Sequence, residues 1–281
     1  MTDAAAAPPR LKIGIPKESV FGERRVAATP QTCARACRVA WNHESRRTDR
    51  HLLPDWSADT VNENFSAELW RGTADIYAAI LEHPFVTGLA DGSLPRESFE
   101  FYVLQDALYL RKYARALAAV GSRAAVPAET EMFARHAAGI VAVEMSLHES
   151  LLADLDIDPR SADAAQEAPT TLAYTSYLLA ASGGAYGEGV GAVLPCYWIY
   201  WEVGKHLLER GSPDARYQRW IDTYADNEYQ TIVAEVLALA DNVGLTLCAA
   251  DETRARAHFA TTARYEWMFW EAAWRREVWP V

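Results

Sequence analysis

The sequence predicts an all-α protein from about residue 62 onward, and two observations support that prediction. Apolar residues recur there at the three- and four-residue spacing of amphipathic helices, and short breaks rich in Gly, Pro, Asp and Ser separate the helical segments. Half of the 281 residues are hydrophobic and 11% are aromatic, which is enough to fill a large core. We therefore expect a globular helical domain and not a disordered chain.

The helix boundaries follow from caps and breakers. The first helical pattern runs from residue 62 to His83-Pro84, and Pro95 suits the first position of the next helix. The Gly-rich stretch 184–191 lacks the Lys-Ser/Thr of a phosphate loop, so it is predicted to be a turn between helices. Further helices are expected at about residues 128–155, 169–182, 188–210, 214–243 and 251–279.

The first 58 residues differ in character from the rest. Residues 12–33 indicate a short strand, a turn and the start of a helix, and they resemble the opening of alanine dehydrogenase and of the transhydrogenase alpha subunit. No Gly-x-Gly-x-x-Gly loop follows a strand downstream, so we expect no NAD site. We interpret residues 1–58 as a poorly ordered extension, either a fusion remnant or a mis-called gene start, with a small genuine module as the alternative.

Net charge and cysteine usage limit the possible partners. A formal net charge of −11 argues against nucleic acid or an anionic membrane as the main partner. Four irregularly spaced cysteines fit neither a disulfide framework nor a zinc site. The Ala/Pro-rich start lacks the features of a secretion signal, and no apolar run is long enough to span a bilayer. We therefore predict a cytoplasmic protein that binds neither nucleic acid nor membrane.

The helix after Pro95 carries a carboxylate on an aromatic stripe. Steps of four, three and four residues place Tyr102, Asp106, Tyr109 and Tyr113 on one helix face. A buried, unpaired carboxylate is costly, so Asp106 must meet a donor, a cation or a ligand. A structural hydrogen bond and a ligand-binding role are equally well supported by the spacing.

Cys196 lies in the densest aromatic run of the chain, residues 194–204. On a helix, Tyr200 lies one turn further on the same face, which brings its hydroxyl within plausible reach of the sulfur. Pro195 would bend that helix, and such bends often open a pocket. From this stretch alone a buried packing cysteine is favoured, because a thiol becomes a nucleophile only where its neighbours stabilise the thiolate.

Other acidic residues offer two further interpretations. Glu266 is flanked by aromatic residues in the last helix, which tends to raise the pKa of a carboxyl and allows it to act as an acid near neutrality. The pairs Glu144/His148 and Glu202/His206 invite a di-iron interpretation, but ferritin-like sites use Glu-x-x-His. Hydrogen bonding at the surface or between helices is favoured for both pairs.

Six separated motifs occur in order: His83-Pro-Phe, Tyr102-Val-Leu-Gln-Asp106-x-x-Tyr109, Tyr174-Thr-Ser, Leu194-Pro-Cys196-Tyr-Trp-x-Tyr200-x-Glu-Val-Gly204, Trp220-Ile-x-Thr-Tyr224 and Tyr265-Glu266-x-x-Phe269-Trp270. Together they resemble the TenA family, the thiaminase II group, over about residues 60–281. The resemblance implies a haem-oxygenase-like helical bundle for residues 59–281, typically assembled as a homotetramer.

The resemblance also implies an activity. This is the hydrolysis of 4-amino-5-aminomethyl-2-methylpyrimidine to the hydroxymethyl pyrimidine and ammonia in thiamine salvage, with the formyl derivative or thiamine as other possible substrates. Cys196 would be the nucleophile, Glu266 the proton donor and Asp106 the carboxylate that pairs with the aminopyrimidine edge. No metal or organic cofactor is required. The residues that would contact the substrate or line the site are Tyr109, Tyr174, Tyr200, Tyr224 and Phe269.

Two other classes of function stay open from the sequence. A bundle of the same fold could perform oxidative chemistry, as in pyrroloquinoline quinone synthase relatives or di-iron oxidases, and bound iron or a quinone chromophore would favour that reading. A non-catalytic regulatory or scaffold protein is the other. The acidic charge and the absence of a basic recognition helix argue against contact with DNA.

Overall fold

The structure is a computed structural model that describes residues 64–154 and 165–281, with the side chains of residues 143–154 left out. All of these residues belong to one unit, Val61–Val281. The interpretation of residues 1–58 as an extension therefore concerns residues outside the described part of the chain.

The regular secondary structure of the described residues is α-helix, with no strand among them, which confirms the all-α prediction. In these residues none of the helices is long and apolar enough to cross a bilayer. The ten helices are α1 (Phe65–Arg71), α2 (Ala74–Leu81), α3 (Pro84–Asp91), α4 (Arg96–Gly121), α5 (Pro127–Asp154), α6 (Pro169–Ser182), α7 (Tyr186–Leu208), α8 (Ala215–Ala225), α9 (Asn227–Gly244) and α10 (Ala249–Arg275).

Proline and glycine mark helix ends where the sequence indicates them. α6 begins at Pro169 and ends at Ser182, directly before Gly183. Pro95 is the N-cap of α4 and not its first helical residue, a shift of one position. The fixed φ of proline suits both places, because neither needs a backbone N–H donor.

Two predicted helices are each divided into two. The pattern from residue 62 to His83 breaks after α1, where the Thr73 hydroxyl donates to the carbonyls of Leu69 and Trp70 and satisfies the end of that helix. The predicted helix 214–243 breaks at Asp226, which is extended and accepts the Asn227 N–H at 2.7 Å. An Asp that caps the second helix ends the first, although the apolar spacing continues across it.

The buried helix α7 is the central element of the bundle. It begins at Tyr186, so the turn predicted for residues 184–191 is wrong beyond Ala185. A Cβ at Gly191 would lie 2.4 Å from the Ala255 carbonyl oxygen, so glycine is needed for the close approach of α7 and α10. The bundle packs α10, α9, α8, α6 and α4 against α7.

A second glycine sets the position of a predicted site residue. A Cβ at Gly204 would lie 2.8 Å from the backbone carbon of Tyr224, so the end of α8 can pack directly on α7 only because that side chain is absent. The rings of Tyr224 and Tyr200 consequently lie 5.0 Å apart. This contact brings a phenol from α8 to the same place as the aromatic run of α7.

The His83-Pro-Phe motif ties α3 to the last helix. His83 Nδ1 accepts the Phe85 N–H at 3.1 Å, and His83 Nε2 lies 3.0 Å from Glu271 Oε2. Because Nδ1 is an acceptor, Nε2 carries the proton and donates to Glu271. Burial lowers the pKa of His83, although Glu271 opposes the effect. The hydrogen bond from the neutral His83 ring to Glu271 therefore fixes the position of α10, which also carries Glu266, relative to α3.

Candidate active site

A cavity of about 590 Å³ lies between α4, α5, α7, α8 and α9. Its volume is within the range of small-molecule sites. Four of the predicted site residues line it, and they come from three different helices: Asp106, Cys196, Tyr200 and Tyr224. The other four do not line it and are buried in the core: Tyr109, Tyr174, Glu266 and Phe269.

Cys196 is a buried thiol, 8% exposed, at the inner wall of the cavity. Burial raises the pKa of the Cys196 thiol well above its usual value, and the charges of Glu266 and Asp106 raise it further. Hydrogen bonding from Tyr109 and Tyr113 opposes this rise. Both acids are thus near enough to act on the sulfur, and Cys196 is a neutral thiol in the free protein at neutral pH.

The hydroxyls beside the sulfur come from α4. Tyr109 Oη lies near the thiol but makes no hydrogen bond of regular geometry to a described residue. Tyr113 Oη donates to the Val193 carbonyl at 2.7 Å. The Tyr109 hydroxyl is a buried donor that can turn toward the sulfur or toward a ligand.

The Tyr200 hydroxyl bonds to a residue that its place on the helix did not predict. It accepts a hydrogen bond from Tyr102 Oη at 3.4 Å, and Tyr102 Oη accepts from Trp220 Nε1 at 3.4 Å. Tyr200 still lines the cavity. The hydrogen bond fixes its ring as a wall of the cavity.

Glu266 is fully enclosed on α10, with 1% of its surface exposed. Tyr174 Oη donates to Glu266 Oε1 at 2.5 Å. Burial raises the pKa of Glu266 to about 8; the Tyr174 hydrogen bond opposes the rise and the charge of Asp106 adds to it. At neutral pH the carboxyl is mostly protonated, as expected from its aromatic surroundings, and can donate a proton.

Asp106 presents its half-buried carboxylate at the cavity wall. Burial is the main cause that raises the pKa of Tyr200 and Tyr224, and the charge of Asp106 contributes to both. Both phenols therefore stay protonated near Asp106. The site thus holds one acid at its wall, Asp106, and one neutral acid, Glu266, behind it.

Phe269 and Tyr174 form the layer behind the lining. The Phe269 ring lies 5.6 Å from Tyr109 and 5.8 Å from Tyr102, and the Tyr174 ring lies 5.0 Å from Tyr109. Aromatic contacts of this kind hold rings rigidly. Phe269 therefore shapes the wall and does not face the cavity directly.

No group of three or more His, Cys, Asp or Glu side chains among those described is arranged to hold a metal ion. Glu202 accepts hydrogen bonds from Trp198 Nε1 at 3.3 Å and from Lys205 Nζ at 2.9 Å, which is the kind of surface bonding predicted for it. The side chains of Glu144 and His148 lie outside the described part.

The TenA resemblance is confirmed by comparison with known proteins. Residues 70–276 match the sequence model of the TENA/THI-4/PQQC family. The chain belongs to this family. It is 36% identical over 222 residues to the aminopyrimidine aminohydrolase of Halalkalibacterium halodurans, covering 77% of this chain and 98% of that protein.

Solved structures agree with the family assignment and with the fold. The TenA homologue protein from P. horikoshii OT3 has a TM-score of 0.70 and 34% identity, covering 76% of this chain and 99% of that one. A domain with a heme oxygenase-like fold from Shewanella denitrificans OS217 has a TM-score of 0.60 at 17% identity, covering 74% of this chain and 91% of that one. The haem-oxygenase-like prediction is thus confirmed. The resemblance of residues 12–33 to alanine dehydrogenase stays a prediction.

Part of the site of this TENA/THI-4/PQQC family member was missed from the sequence. Tyr229 Oη donates to the Tyr197 carbonyl at 3.1 Å and lies 3.4 Å from the Cys196 carbonyl, so it braces the helix that carries Cys196. His136 and Glu235 line the cavity from α5 and α9. None of the six motifs contains His136, Tyr229 or Glu235. The sequence showed only that each is a side chain able to form hydrogen bonds within a predicted helix.

Proposed function

We propose that this chain is an aminopyrimidine aminohydrolase, a thiaminase II, that releases ammonia from 4-amino-5-aminomethyl-2-methylpyrimidine by covalent catalysis at Cys196. The observation that carries the proposal is the meeting of a buried thiol and a carboxylate at one cavity with a protonated carboxyl behind it. Relatives that are named aminopyrimidine aminohydrolase, at 31–36% identity over most of the chain, support the same reaction.

The cavity suits a flat aminopyrimidine. Asp106 would accept hydrogen bonds from the amino edge of the heterocycle, since a carboxylate is an acceptor only. Tyr200 and Tyr224 would contact the ring faces, where aromatic stacking favours a planar, electron-poor partner. The Tyr109 hydroxyl, which has no regular protein partner, would bond to a ring substituent or to the sulfur.

The chemistry begins with the neutral Glu266. Glu266 acts on the Cys196 sulfur from behind the lining, so a ring that reaches the sulfur would also meet this carboxyl. The Glu266 proton then passes to a ring nitrogen, which makes the ring more electrophilic and leaves a carboxylate that Tyr174 stabilises. The Cys196 sulfur then forms a bond to a ring carbon as it loses its proton. The electron pair returned by the ring breaks the exocyclic C–N bond, and the amine leaves with a proton as ammonia.

The second half of the reaction restores the protein. Water adds to the exocyclic methylene and loses a proton, so that the hydroxymethyl group forms. The C–S bond then breaks, its electron pair returns to sulfur, the sulfur takes back a proton and the ring gives its proton back to Glu266. The substrate's positive charge offsets the burial that raises the pKa of the free Cys196 thiol.

The test is ammonia release from the aminomethyl pyrimidine by wild type, Cys196→Ala and Glu266→Gln. We expect near-complete loss for the first variant and a loss of about a hundredfold or more for the second, since general acids contribute about 10²–10⁴. Cys248→Ser, which changes an exposed cysteine, is the control and should keep the wild-type rate. Equal rates in all four proteins would overturn the mechanism.

Substrate preference is measured in the same assay. The aminomethyl pyrimidine, its formyl derivative and thiamine are offered separately, and the hydroxymethyl pyrimidine is followed as the common product. We expect the aminomethyl compound to be the best substrate, because the relatives at 31–36% identity are named aminopyrimidine aminohydrolase. An oxidase or a regulatory protein would release no hydroxymethyl pyrimidine from any of the three.

Three further features belong to the proposal. Residues 59–281 would form the catalytic domain and residues 1–58 a non-family extension. The protein would act in the cytoplasm as a homotetramer on its small-molecule substrate. Light scattering coupled to size exclusion measures the assembly directly, and a monomer at micromolar concentration would contradict the tetramer.

A further inference from the structure

A chain of hydrogen-bonding side chains leads from the protein surface to the cavity on the side of α5 and α9. His136 Nδ1 lies 3.1 Å from Tyr197 Oη, and His136 Nε2 lies 3.2 Å from Glu235 Oε2. Arg135 donates to Glu235 Oε1 at 2.6 Å. All four residues line the same cavity as Cys196.

The direction of each hydrogen bond follows from the chemistry. Burial lowers the pKa of His136, although Glu235 opposes the effect, so the ring is neutral at neutral pH and carries one proton. Beside a carboxylate that proton sits on Nε2 and is donated to Glu235. Nδ1 is then the acceptor, and Tyr197 must donate its hydroxyl proton to His136.

The acid at the outer end is held in its charged form. Burial alone would raise the pKa of Glu235, but its bonds to Arg135 and His136 lower it overall. The charged groups that act on His136 are Glu235 from α9 and Arg135 and Glu131 from its own helix. The positive charge of Arg135 is balanced by its ion pairs with Glu235 and Glu131. Nδ1 of the neutral imidazole can therefore accept a proton.

Tyr113 connects this chain to the thiol. Tyr113, Cys196 and Tyr197 line the same cavity, and hydrogen bonding from Tyr113 opposes the burial-driven rise in the pKa of the other two residues. The Tyr113 and Tyr197 rings lie 5.7 Å apart. Glu235 is 39% exposed while His136 is 2% exposed, so the chain runs from solvent to the buried sulfur.

We propose that Tyr197, His136 and Glu235 are positioning residues that form a proton relay for Cys196. As the sulfur adds to the substrate, the S–H bond breaks and its electron pair stays on sulfur. The Tyr113 hydroxyl, which donates to the Val193 carbonyl in the free protein, turns to Tyr197 Oη. It gives its own proton to Tyr197 Oη and takes the proton from sulfur, while the Tyr197 proton moves to His136 Nδ1. The imidazolium is stabilised by Glu235, and the proton returns by the same route when the C–S bond breaks. No phenolate forms.

The relay rests on the proposed covalent mechanism, in which some group must take the proton from the Cys196 thiol. The thiol cannot ionise by itself, because burial and two nearby acids raise its pKa. Glu266 gives a proton to the ring and is not available to take one from sulfur. An acid–base–hydroxyl series in which a carboxylate orients an imidazole is the arrangement that activates nucleophiles in other hydrolases.

A second Tyr–His–Glu–Arg set elsewhere in the protein serves as a control. Tyr177 Oη lies 2.9 Å from His258 Nδ1, His258 Nε2 lies 3.8 Å from Glu188 Oε2, and Arg254 donates to Glu188 Oε1 at 2.6 Å. These residues have the same chemical types in the same order, but none of them lines the cavity. Substitutions in this second set should change the stability of the protein as much as the relay substitutions do, but they leave the relay residues unchanged.

The first experiment measures ammonia release by Tyr197→Phe and His136→Gln. We expect kcat to fall about a hundredfold in each, with KM within about threefold, as general acid–base groups contribute about 10²–10⁴. The loss should shrink as pH rises, because hydroxide can then take the thiol proton. Tyr177→Phe and His258→Gln should keep the wild-type kcat. Glu235→Gln, at the exposed end, is expected to lose about tenfold and carries the test if Tyr197→Phe does not fold.

The second experiment measures the thiol without turnover. Iodoacetamide labelling of Cys196 at pH 7, followed by peptide mass spectrometry, should be about tenfold slower in the relay variants, since they lose the imidazolium that balances the thiolate. Labelling of the exposed Cys248 should not change. If wild type releases no ammonia, the proposed function fails and the labelling rates alone decide the relay. Wild-type kcat or labelling in the relay variants, or equal losses in the control set, would overturn it.

Discussion

Replacing Glu266 by Gln should remove a pH-dependent cost that the folded protein carries. The folded carboxyl has a pKa of about 8, against 4.5 in an exposed setting. Between these two values the folded state holds a proton that the unfolded state has lost, so the free energy of unfolding falls as pH rises. Each pH unit is worth about 1.4 kcal/mol, so the full cost reaches about 5 kcal/mol above pH 8.

The assay is urea unfolding of wild type and Glu266→Gln at pH values from 5 to 9. Gln keeps an acceptor for the Tyr174 hydroxyl but has no charge to bury, so its unfolding free energy lacks this dependence. The stability of the variant relative to wild type should rise by about 1.4 kcal/mol per pH unit and level off near pH 8. The slope is the prediction, because the amide adds an offset that does not vary with pH.

A matched control separates burial from the loss of a carboxyl. Glu129 also accepts a tyrosine hydroxyl, from Tyr186 at 2.9 Å, but it is half-buried. Glu129→Gln, measured in the same titrations, is the reference for replacing a tyrosine-bonded carboxyl by an amide. If the Glu266→Gln difference shows no slope, Glu266 is ionised in the folded protein at neutral pH, and the reasoning that makes it a proton donor is refuted.

Three other predictions follow from the same contacts. The kcat/KM of wild type should fall as pH rises through about 8, because Glu266 then loses the proton it donates; a pH–rate profile that stays flat to pH 10 would contradict this. Tyr174→Phe removes a hydrogen bond that favours the ionised carboxyl, so the alkaline limb of that profile should move to higher pH, and a move to lower pH would refute the assigned contact. Gly191→Ala places a methyl 2.4 Å from the Ala255 carbonyl oxygen. This variant should lower the free energy of unfolding, measured by urea titration, by about 1–3 kcal/mol. An unchanged urea midpoint would show that α7 and α10 can move apart without cost.

The helical framework was readable from the sequence where a local signal ends each helix. Pro169 and Gly183 bound α6 because proline and glycine act on the backbone itself. The break at Asp226 was missed, since the apolar spacing continues across it and the capping bond to Asn227 depends on a single side-chain rotamer. Periodicity predicts that a segment is helical but does not locate an interruption.

The site was predictable only in part, and for a physical reason. The aromatic setting of Glu266 indicates a raised pKa because flanking rings exclude water wherever the helix packs. The hydrogen bond between Tyr200 and Tyr102 was not predicted, because the two hydroxyls come from different helices. His136 and Glu235 are 99 positions apart, and the residues around each of them do not indicate that α5 and α9 bring the two side chains together.

The most direct test of the central claim is the rate of ammonia release from the aminomethyl pyrimidine by Cys196→Ala relative to wild type at pH 7. A buried thiol that forms the covalent bond to the ring cannot be replaced by a methyl group, so we expect a rate below about one thousandth of wild type. A rate within about tenfold of wild type would contradict the account, because the cavity would then perform the hydrolysis without its sulfur.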